Sequence, residues 1–416
     1  MKYSRKLSYL TIFIYPIITL FLAIKNFRSP EAKNLLWLFC IFYGMVHIVF
    51  NSDGFYVDGM SYGWALERYY FNDITWNEFW RYLFSEDSNY ADIYVGLLTY
   101  TLGQFTNNYN ILFMCFATVF GYFYSRNIWF IIENLKQNKT LTATIVICLV
   151  FFALILPIWQ INGRIWTAVH IFFYGSIQVL YYRKKKAIVW CLVAPLVHFA
   201  TLFLLIVLFL FFVLPKKPFL YFIFLIFSMT ISYLDLYALN EKLTAILPDF
   251  FSAKIDGYAN VDFAEERAYQ AQSQSLLLSM RNFLRDWVVD IALIILFFTG
   301  KSIWKTDSTL NRLYCFALFI AALASIFALI PSGGRFINYA NMISMVVIIF
   351  ALQQNSGLLT KFYSPIFKLV MIFLIIFSIR IGMEFFGVSS FVTNPITCWF
   401  IEDNDTMMHL IRRWGW

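Results

Sequence analysis

The chain has 416 residues, of which 61% are hydrophobic and 13% charged, and its formal net charge is +8. A soluble domain cannot bury that much apolar surface, so the composition excludes an ordinary soluble protein and indicates a helical membrane protein. The basic residues form short clusters between apolar runs, as in cytoplasmic loops, which argues against a nucleic-acid partner. The six cysteines show no CxxC pair or metal-ligand spacing, and we expect neither a metal nor a cofactor.

Apolar runs that could cross a membrane occur along the whole chain. They fall near residues 8–24, 35–50, 109–125, 140–158, 164–182, 187–213, 219–238, 287–300, 313–331, 336–352 and 369–386. We therefore predict an all-α, polytopic transmembrane bundle of about 10–12 spans, forming one integral membrane domain over residues 1–416. The first run is expected to span the membrane itself, since no signal-peptide cleavage site follows it.

Loop charge predicts the orientation of the central helices. Residues 183–186 carry four basic side chains and no acid, and the loop 126–139 is also mainly basic, so both are expected to be cytoplasmic. The helix over 164–182 then runs from outside to inside, and Arg164 lies at its outer end. The acidic segment 51–92 is expected outside.

Two shorter segments complicate this topology. Residues 51–108 are predicted to be an extracytoplasmic loop, in which Ile93–Phe105 is too short to span and forms a re-entrant or interfacial helix. The run 187–213 is interrupted by Pro195 and His198 and either crosses once or forms a hairpin. The hairpin is favoured because it places the basic segments near 215–218 and 301–312 inside and residues 239–286 outside. The N-terminus is then outside despite its own basic residues, a conflict that charge does not resolve.

Four arginines are predicted to meet at the outer face. Arg164 follows Asn-Gly and Arg335 follows Gly-Gly, each at a helix start, while Arg281 and Arg285 share one helix face. A guanidinium group grips phosphate oxygens with two hydrogen bonds, and a helix N-terminus adds free N–H groups. We interpret these arginines as ligands of a lipid phosphate or pyrophosphate. Arg164 and Arg335 could instead simply reach towards lipid headgroups, and Arg281 and Arg285 could be ordinary stop signals flanking the 287–300 span.

Two residues, His198 and Asp58, are considered as proton acceptors. His198 lies at the apex of the proposed hairpin, and histidines within apolar runs are often functional, although it could also be a packing residue. Asp53 and Asp58 follow the second apolar run and could equally be ordinary loop acids. His47 and His170 are interpreted as structural.

The segment Ile161–Leu205 resembles the signature of EpsG-like membrane proteins, the Wzy-type polysaccharide polymerases. The matching features are Arg164, Ala168, the basic turn at 183–186 and the sequence His198-Phe199-Ala200. Weaker similarity covers roughly residues 50–340 and includes Tyr56–Leu66, Tyr90–Phe113 and the sequence GGRFINYA around Arg335. Asp58 precedes its glycine here, whereas the family has an aspartate after a glycine.

The resemblance implies a GT-C-like bundle in the bacterial cytoplasmic membrane with its active face outside. It implies a glycosyltransferase that joins oligosaccharide repeat units carried on undecaprenyl pyrophosphate. Arg164, Arg335, Arg281 and Arg285 would bind the pyrophosphate groups, and His198 or Asp58 would take the proton of the acceptor hydroxyl. The partners implied are the lipid bilayer, the lipid-linked oligosaccharide, a flippase and chain-length regulator proteins.

Three other classes remain open on the sequence. An O-antigen ligase uses the same donor, and a membrane glycosyltransferase with a monosaccharide-lipid donor also keeps an acidic outer loop. A transporter of lipid-linked glycans is less favoured, because transporters usually pair their broken helices and only the run 187–213 looks broken in this sequence.

Overall fold

The computed structural model describes residues 5–48, 58–85, 92–136, 141–231, 275–330, 333–354, 365–401 and 405–414. In these ranges the chain forms 19 α-helices and no β-strand, so the all-α prediction is confirmed. The first seven are α1 (Arg5–Ile14), α2 (Pro16–Lys25), α3 (Ala32–Met45), α4 (Asp58–Phe71), α5 (Trp76–Leu83), α6 (Tyr94–Gly103) and α7 (Tyr109–Asn134). The next five are α8 (Ala143–Ile155), α9 (Arg164–Leu180), α10 (Ile188–Val197), α11 (Thr201–Val213) and α12 (Pro218–Thr230). The last seven are α13 (Leu276–Thr299), α14 (Lys301–Thr306), α15 (Ser308–Phe327), α16 (Arg335–Gln354), α17 (Pro365–Gly382), α18 (Ser389–Val392) and α19 (Met407–Arg413). Short 3₁₀ helices cover Ile158–Gln160, Lys185–Ala187 and Thr397–Phe400.

Five segments of the described chain are long and apolar enough to cross a membrane. They are Tyr109–Asn134, Ala143–Gln160, Ser308–Phe327, Arg335–Gln354 and Pro365–Gly382. Four further apolar helices are shorter than a span: α2, α3, α11 and α12. The described residues therefore contain fewer long spans than the sequence predicted. Two of the predicted runs are broken, and others form helices shorter than a span, such as α3 with 14 residues and α12 with 13.

The first apolar run is not one straight helix. Tyr15 has an extended backbone and Pro16 begins α2, because proline disfavours a helical conformation in the residue before it. The hydroxyls of Thr11 and Thr19, eight residues apart, lie 2.8 Å from each other, whereas a straight helix would separate those positions by about 12 Å. The chain thus turns back, and α1 packs against α2. The single-span prediction for 8–24 is wrong, and the start of α1 lies on the same side of the fold as the basic loop 25–33.

The run 187–213 is also broken, at His198, Phe199 and Ala200, between α10 and α11. Beyond α11, the backbone carbonyl of Lys216 accepts a hydrogen bond from the side-chain amide of Asn311 (3.5 Å). The next residue, Arg312, donates from Nε to the backbone carbonyl of Leu180 at the end of α9 (2.7 Å). Both ends of the run therefore lie at the end of the bundle that holds Arg183, called here the Arg183 end. This is the arrangement that the hairpin prediction requires. Two of the predicted apolar runs are thus broken, so the number of broken runs no longer disfavours a transporter.

The opposite end of the bundle, called the Arg164 end, collects several helix termini. Phe203 near the start of α11 packs against Phe327 at the end of α15, with ring centroids 4.0 Å apart, and against Phe336 at the start of α16 (4.5 Å). The backbone N–H of Ile93 donates to the carbonyl of Leu196 (3.1 Å), which joins the start of α6 to the end of α10. The short helix α6 packs against α4 beside this end.

The core surrounds α16. Sixteen residues of this helix are buried, and a helix that is apolar on all sides belongs in the interior of a bundle. It packs between α8, α13 and α15. By contrast, α17 leaves Ile366, Leu369 and Ile376 more than 60% exposed, as expected of a face turned to lipid. Burial of α16 fixes the position of its first residue, Arg335, at the Arg164 end.

Helix α13 begins earlier than the apolar run predicted. Ser275 caps it, with its hydroxyl accepting a hydrogen bond from the N–H of Leu278. Residues 276–286 are therefore helical, and they are continuous with the apolar part of α13. Arg281 and Arg285 are consequently held on a rigid element. Residues 239–274 of the predicted outer loop lie outside the described ranges.

Candidate functional site: an arginine-lined pocket

Arg164 begins α9, as the sequence predicted, and forms a buried ion pair. Its Nη1 lies 3.2 Å from Oδ2 of Asp92, whose side chain is 2% exposed, while that of Arg164 is 20% exposed. The N-cap residue Gly163 provides no side-chain hydrogen bond to the helix. A Cβ atom at Gly163 would lie 2.2 Å from Cδ1 of Trp166, so the glycine leaves room for the indole ring.

Asp92 was not singled out by the sequence analysis. It was counted only as one of several acids in an outer loop, yet it is the last acid before the short apolar helix α6. An acid at the entrance of an apolar segment must be paired or solvated, because burying an unpaired charge is costly. That position is the signal that could have identified it. Its pairing means that the charge of Arg164 is largely balanced within the protein.

His198 is buried, with 8% of its surface exposed. The backbone N–H of Ala200 donates to its Nδ1 (3.2 Å). In neutral imidazole the remaining proton is then on Nε2, so the ring offers an N–H donor to its surroundings. Arg164 and Arg335 both lie close enough to act on His198 electrostatically. A protonated His198 would be a third positive charge beside them, and this geometry favours a donor role over the predicted base role.

Three of the predicted arginines meet in one pocket at the Arg164 end. It has a volume of about 400 Å³ and is lined by Arg281 and Arg285 of α13 and by Arg335 of α16. Gln160, Trp166, Asn338 and Asn341 add polar or aromatic groups to its wall. No carboxylate is among the lining residues in the part of the chain that the structure describes. Arg164 lies beside this pocket rather than in its wall.

The three guanidinium groups differ in their partners. Arg285 donates to Asp286 through Nε (2.7 Å), so its charge is partly balanced. Arg281 donates to the amide oxygen of Asn282 (2.8 Å) and faces the ring of Phe377 at 5.6 Å. Among the described residues, Arg335 has no hydrogen-bond or ion-pair partner. Arg335 and Arg281 thus leave two positive charges without a carboxylate at the pocket.

The pocket has an apolar side as well as a cationic one. Phe151, Leu154 and Ile155 of α8 and Leu374 of α17 line it. Next to Arg335, a Cβ atom at Gly334 would meet nothing within 4 Å, so this position opens into free space. A cationic rim beside an apolar wall fits an anionic head group attached to a hydrocarbon chain.

The structure describes the histidines of the sequence analysis but not the side chains of its two aspartates. Asp58 is the first residue of α4, but its side chain lies outside the description, as does the whole of Asp53, so their predicted roles stay predictions. His170 is buried and bonded to Asn127 and to the carbonyl of Leu156. His47 packs on Tyr43, with Nδ1 3.0 Å from the phenol oxygen. Both side chains pack within the bundle, and their structural role stays a prediction.

Comparison of the chain with protein-family models, curated proteins and solved structures finds no match. Its function therefore has to be inferred from the residues of the site.

Proposed function

We propose that the chain is a membrane glycosyltransferase that polymerises lipid-linked polysaccharide repeat units, with the donor pyrophosphate bound in the arginine-lined pocket. The observation that carries the proposal is the wall of this pocket, where three arginines without a lining carboxylate stand beside apolar side chains. A pyrophosphate on a polyprenyl chain has both matching parts. The resemblance to EpsG-like proteins supplies the reaction class.

The proposed chemistry is a displacement at the anomeric carbon of the donor glycan. The acceptor hydroxyl oxygen forms the new bond to this carbon while the bond from the carbon to the pyrophosphate oxygen breaks. The electron pair of the broken bond stays on the pyrophosphate, and Arg335, Arg281 and Arg285 stabilise the charge that develops there. Asp58 is the proposed acceptor of the hydroxyl proton.

The remaining site residues have supporting roles in this proposal. The pair of Arg164 and Asp92 fixes the start of α9 against α6, and Trp166 then lies in the pocket wall. His198 lies close to Arg335 but is not among the residues that line the pocket, and its proposed role is to donate from Nε2 to the bound substrate. The active face would be extracytoplasmic in a bacterial cytoplasmic membrane, within a GT-C-like bundle, because the Arg183 end carries the basic residues 183–186.

A polysaccharide ladder on a gel tests the proposal. Cells lacking the protein and cells carrying Arg335→Ala are both expected to show a single lipid-linked repeat in place of the ladder. Arg380→Ala is the matched control, because this exposed arginine is in the last turn of α17 at the same end and does not line the pocket. Protein amount in the membrane is measured for each variant. A full ladder together with glycan missing from the cell surface would contradict the polymerase proposal and indicate a ligase or flippase.

A further inference from the structure

A second cavity of about 180 Å³ lies between α12, α13, α15 and α16. Its polar lining consists of Asp286, Asp290, Asn341, Ser228 and Ser325, and no Lys, Arg or His is among its described lining residues. Asp290 is one helical turn beyond Asp286 on the same face of α13. The cavity thus has the opposite electrostatic character to the arginine-lined pocket next to it.

Two of the polar groups are deeply buried without a partner. Asp290 is 7% exposed and Asn341 is 2% exposed. Within the described ranges, neither side chain makes a hydrogen bond or ion pair. Asn341 comes from α16 and Asp290 from α13, so two separate helices direct unsatisfied polar groups to the same space. Buried polar groups normally have partners, which indicates that this cavity has an occupant.

The two serines offer only acceptor oxygens to the cavity. The hydroxyl of Ser228 donates to the carbonyl of Leu225 (2.7 Å), and that of Ser325 donates to the carbonyl of Ala321 (3.0 Å). Their hydrogens are therefore used within their own helices, and the lone pairs remain. Together with the two carboxylates and the amide oxygen of Asn341, the cavity presents a set of hard oxygen ligands, which suits an alkali or alkaline-earth cation.

The charge of the cavity selects between these classes of cation. Asp286 already accepts a hydrogen bond from Arg285 (2.7 Å), which balances one of the two carboxylates. When Asp290 is ionised, its negative charge is the one that a bound cation would balance. The described residues contain no group of three or more His, Cys, Asp or Glu side chains that could hold a multivalent metal. We propose that this cavity binds a monovalent cation of the size of Na⁺ through the oxygens of Asp290, Asp286, Asn341 and Ser325, with water completing the coordination.

The cation site is connected to the arginine-lined pocket through shared residues. Asn341 lines both cavities. Asp286 lines the cation cavity and holds Arg285, which lines the other. A bound cation orders Asn341 and Asp286 and also attracts an anion in the adjoining pocket, so the two ligands strengthen each other's binding. The cation site itself does not depend on the proposed transferase activity.

Thermal unfolding of the full-length protein in detergent tests the site. The midpoint is measured in NaCl and in choline chloride at equal ionic strength. We expect it to be higher in Na⁺ for the wild type, since a ligand that binds only the folded state stabilises it. Asp290→Asn is expected to have the same midpoint in both salts. Ser325→Ala is expected to need a higher Na⁺ concentration than the wild type to reach the same rise in midpoint. Glu67→Gln, which removes an exposed carboxylate of α4, is the matched control and should keep the difference.

Direct binding of ²²Na⁺ to the same samples completes the test. Binding to the wild type and to Glu67→Gln, with loss in Asp290→Asn, is the expected result. If Asp290→Asn does not fold, Ser325→Ala replaces it in both measurements. An equal midpoint of the wild type in Na⁺ and choline, or ²²Na⁺ binding that Asp290→Asn leaves unchanged, would overturn the cation site. Neither outcome affects the polysaccharide ladder, which tests the transferase proposal separately.

Discussion

Replacing Arg164 by alanine is predicted to destabilise the protein, because it removes the guanidinium group that lies against the buried carboxylate of Asp92. The two charges are 3.2 Å apart, and Asp92 is 2% exposed. With an effective dielectric constant of about 20, their attraction is roughly 5 kcal/mol, much of which offsets the cost of removing both groups from water. Loss of one partner of a buried pair costs about 3–5 kcal/mol. Since Arg164 retains 20% exposure, water screens part of the interaction and we expect about 3 kcal/mol.

A double-mutant cycle measures this quantity. Arg164→Ala and Asp92→Asn are compared singly and together by thermal unfolding of the purified protein. The double variant is expected to be more stable than Arg164→Ala, because it no longer buries a carboxylate whose guanidinium partner has been removed. The exposed pair of Arg413 and Asp405 is the control: its atoms are closer, at 2.6 Å, but Arg413 is 68% exposed. Arg413→Ala is expected to cost about 0–1 kcal/mol. Equal stability of Arg164→Ala and the wild type would refute the reasoning, as would an additive cycle.

Three further predictions concern local geometry. Gly163→Ala is expected to lower the unfolding temperature, because its Cβ would lie 2.2 Å from Cδ1 of Trp166. Gly334→Ala should leave the unfolding temperature unchanged, because its Cβ would have no atom within 4 Å. A larger loss of stability in Gly334→Ala than in Gly163→Ala would contradict this reasoning. His198→Gln, which can still donate a hydrogen bond to an anion but cannot act as a base, is expected to keep a polysaccharide ladder that His198→Phe loses. The pKa of Glu78 is lowered by hydrogen bonds from the backbone N–H and hydroxyl of Thr75. This carboxylate therefore stabilises α5 above the unfolded pKa of about 4.3, and the stabilisation is lost as pH falls through the lower folded pKa. Unfolding curves at several pH values should show this loss for the wild type and not for Glu78→Gln.

Several features of the site were accessible from the sequence because they depend on local pattern and charge. Glycine before Arg164 and Arg335 predicted helix starts, and both helices begin at those residues. The spacing of Arg281 and Arg285 predicted a shared helix face, and both line the same pocket. The interruption at His198 and the basic residues on either side predicted a hairpin.

Other features depend on contacts between distant segments, which loop charge does not reveal. The pairing of Asp92 with Arg164 joins residues 72 positions apart, and a count of loop charges treats both as solvated. The turn at Tyr15 could have been suspected from Pro16, but its direction is fixed by packing of α1 on α2 and α3. The burial of Asn341 follows from the central position of α16.

The binding of a lipid pyrophosphate by the purified protein tests the central proposal most directly. Undecaprenyl pyrophosphate is titrated in detergent against the wild type, Arg335→Ala, Arg335→Lys and the control Arg380→Ala, with undecaprenol as the uncharged ligand. A charge-assisted hydrogen bond contributes about 1.5–3 kcal/mol, so Arg335→Ala is expected to weaken binding roughly 10- to 100-fold. Arg335→Lys should restore only part of it, because lysine lacks the two-pronged grip. Equal affinity of Arg335→Ala and the wild type, or equal binding of undecaprenol and undecaprenyl pyrophosphate, would contradict the proposed role of the pocket.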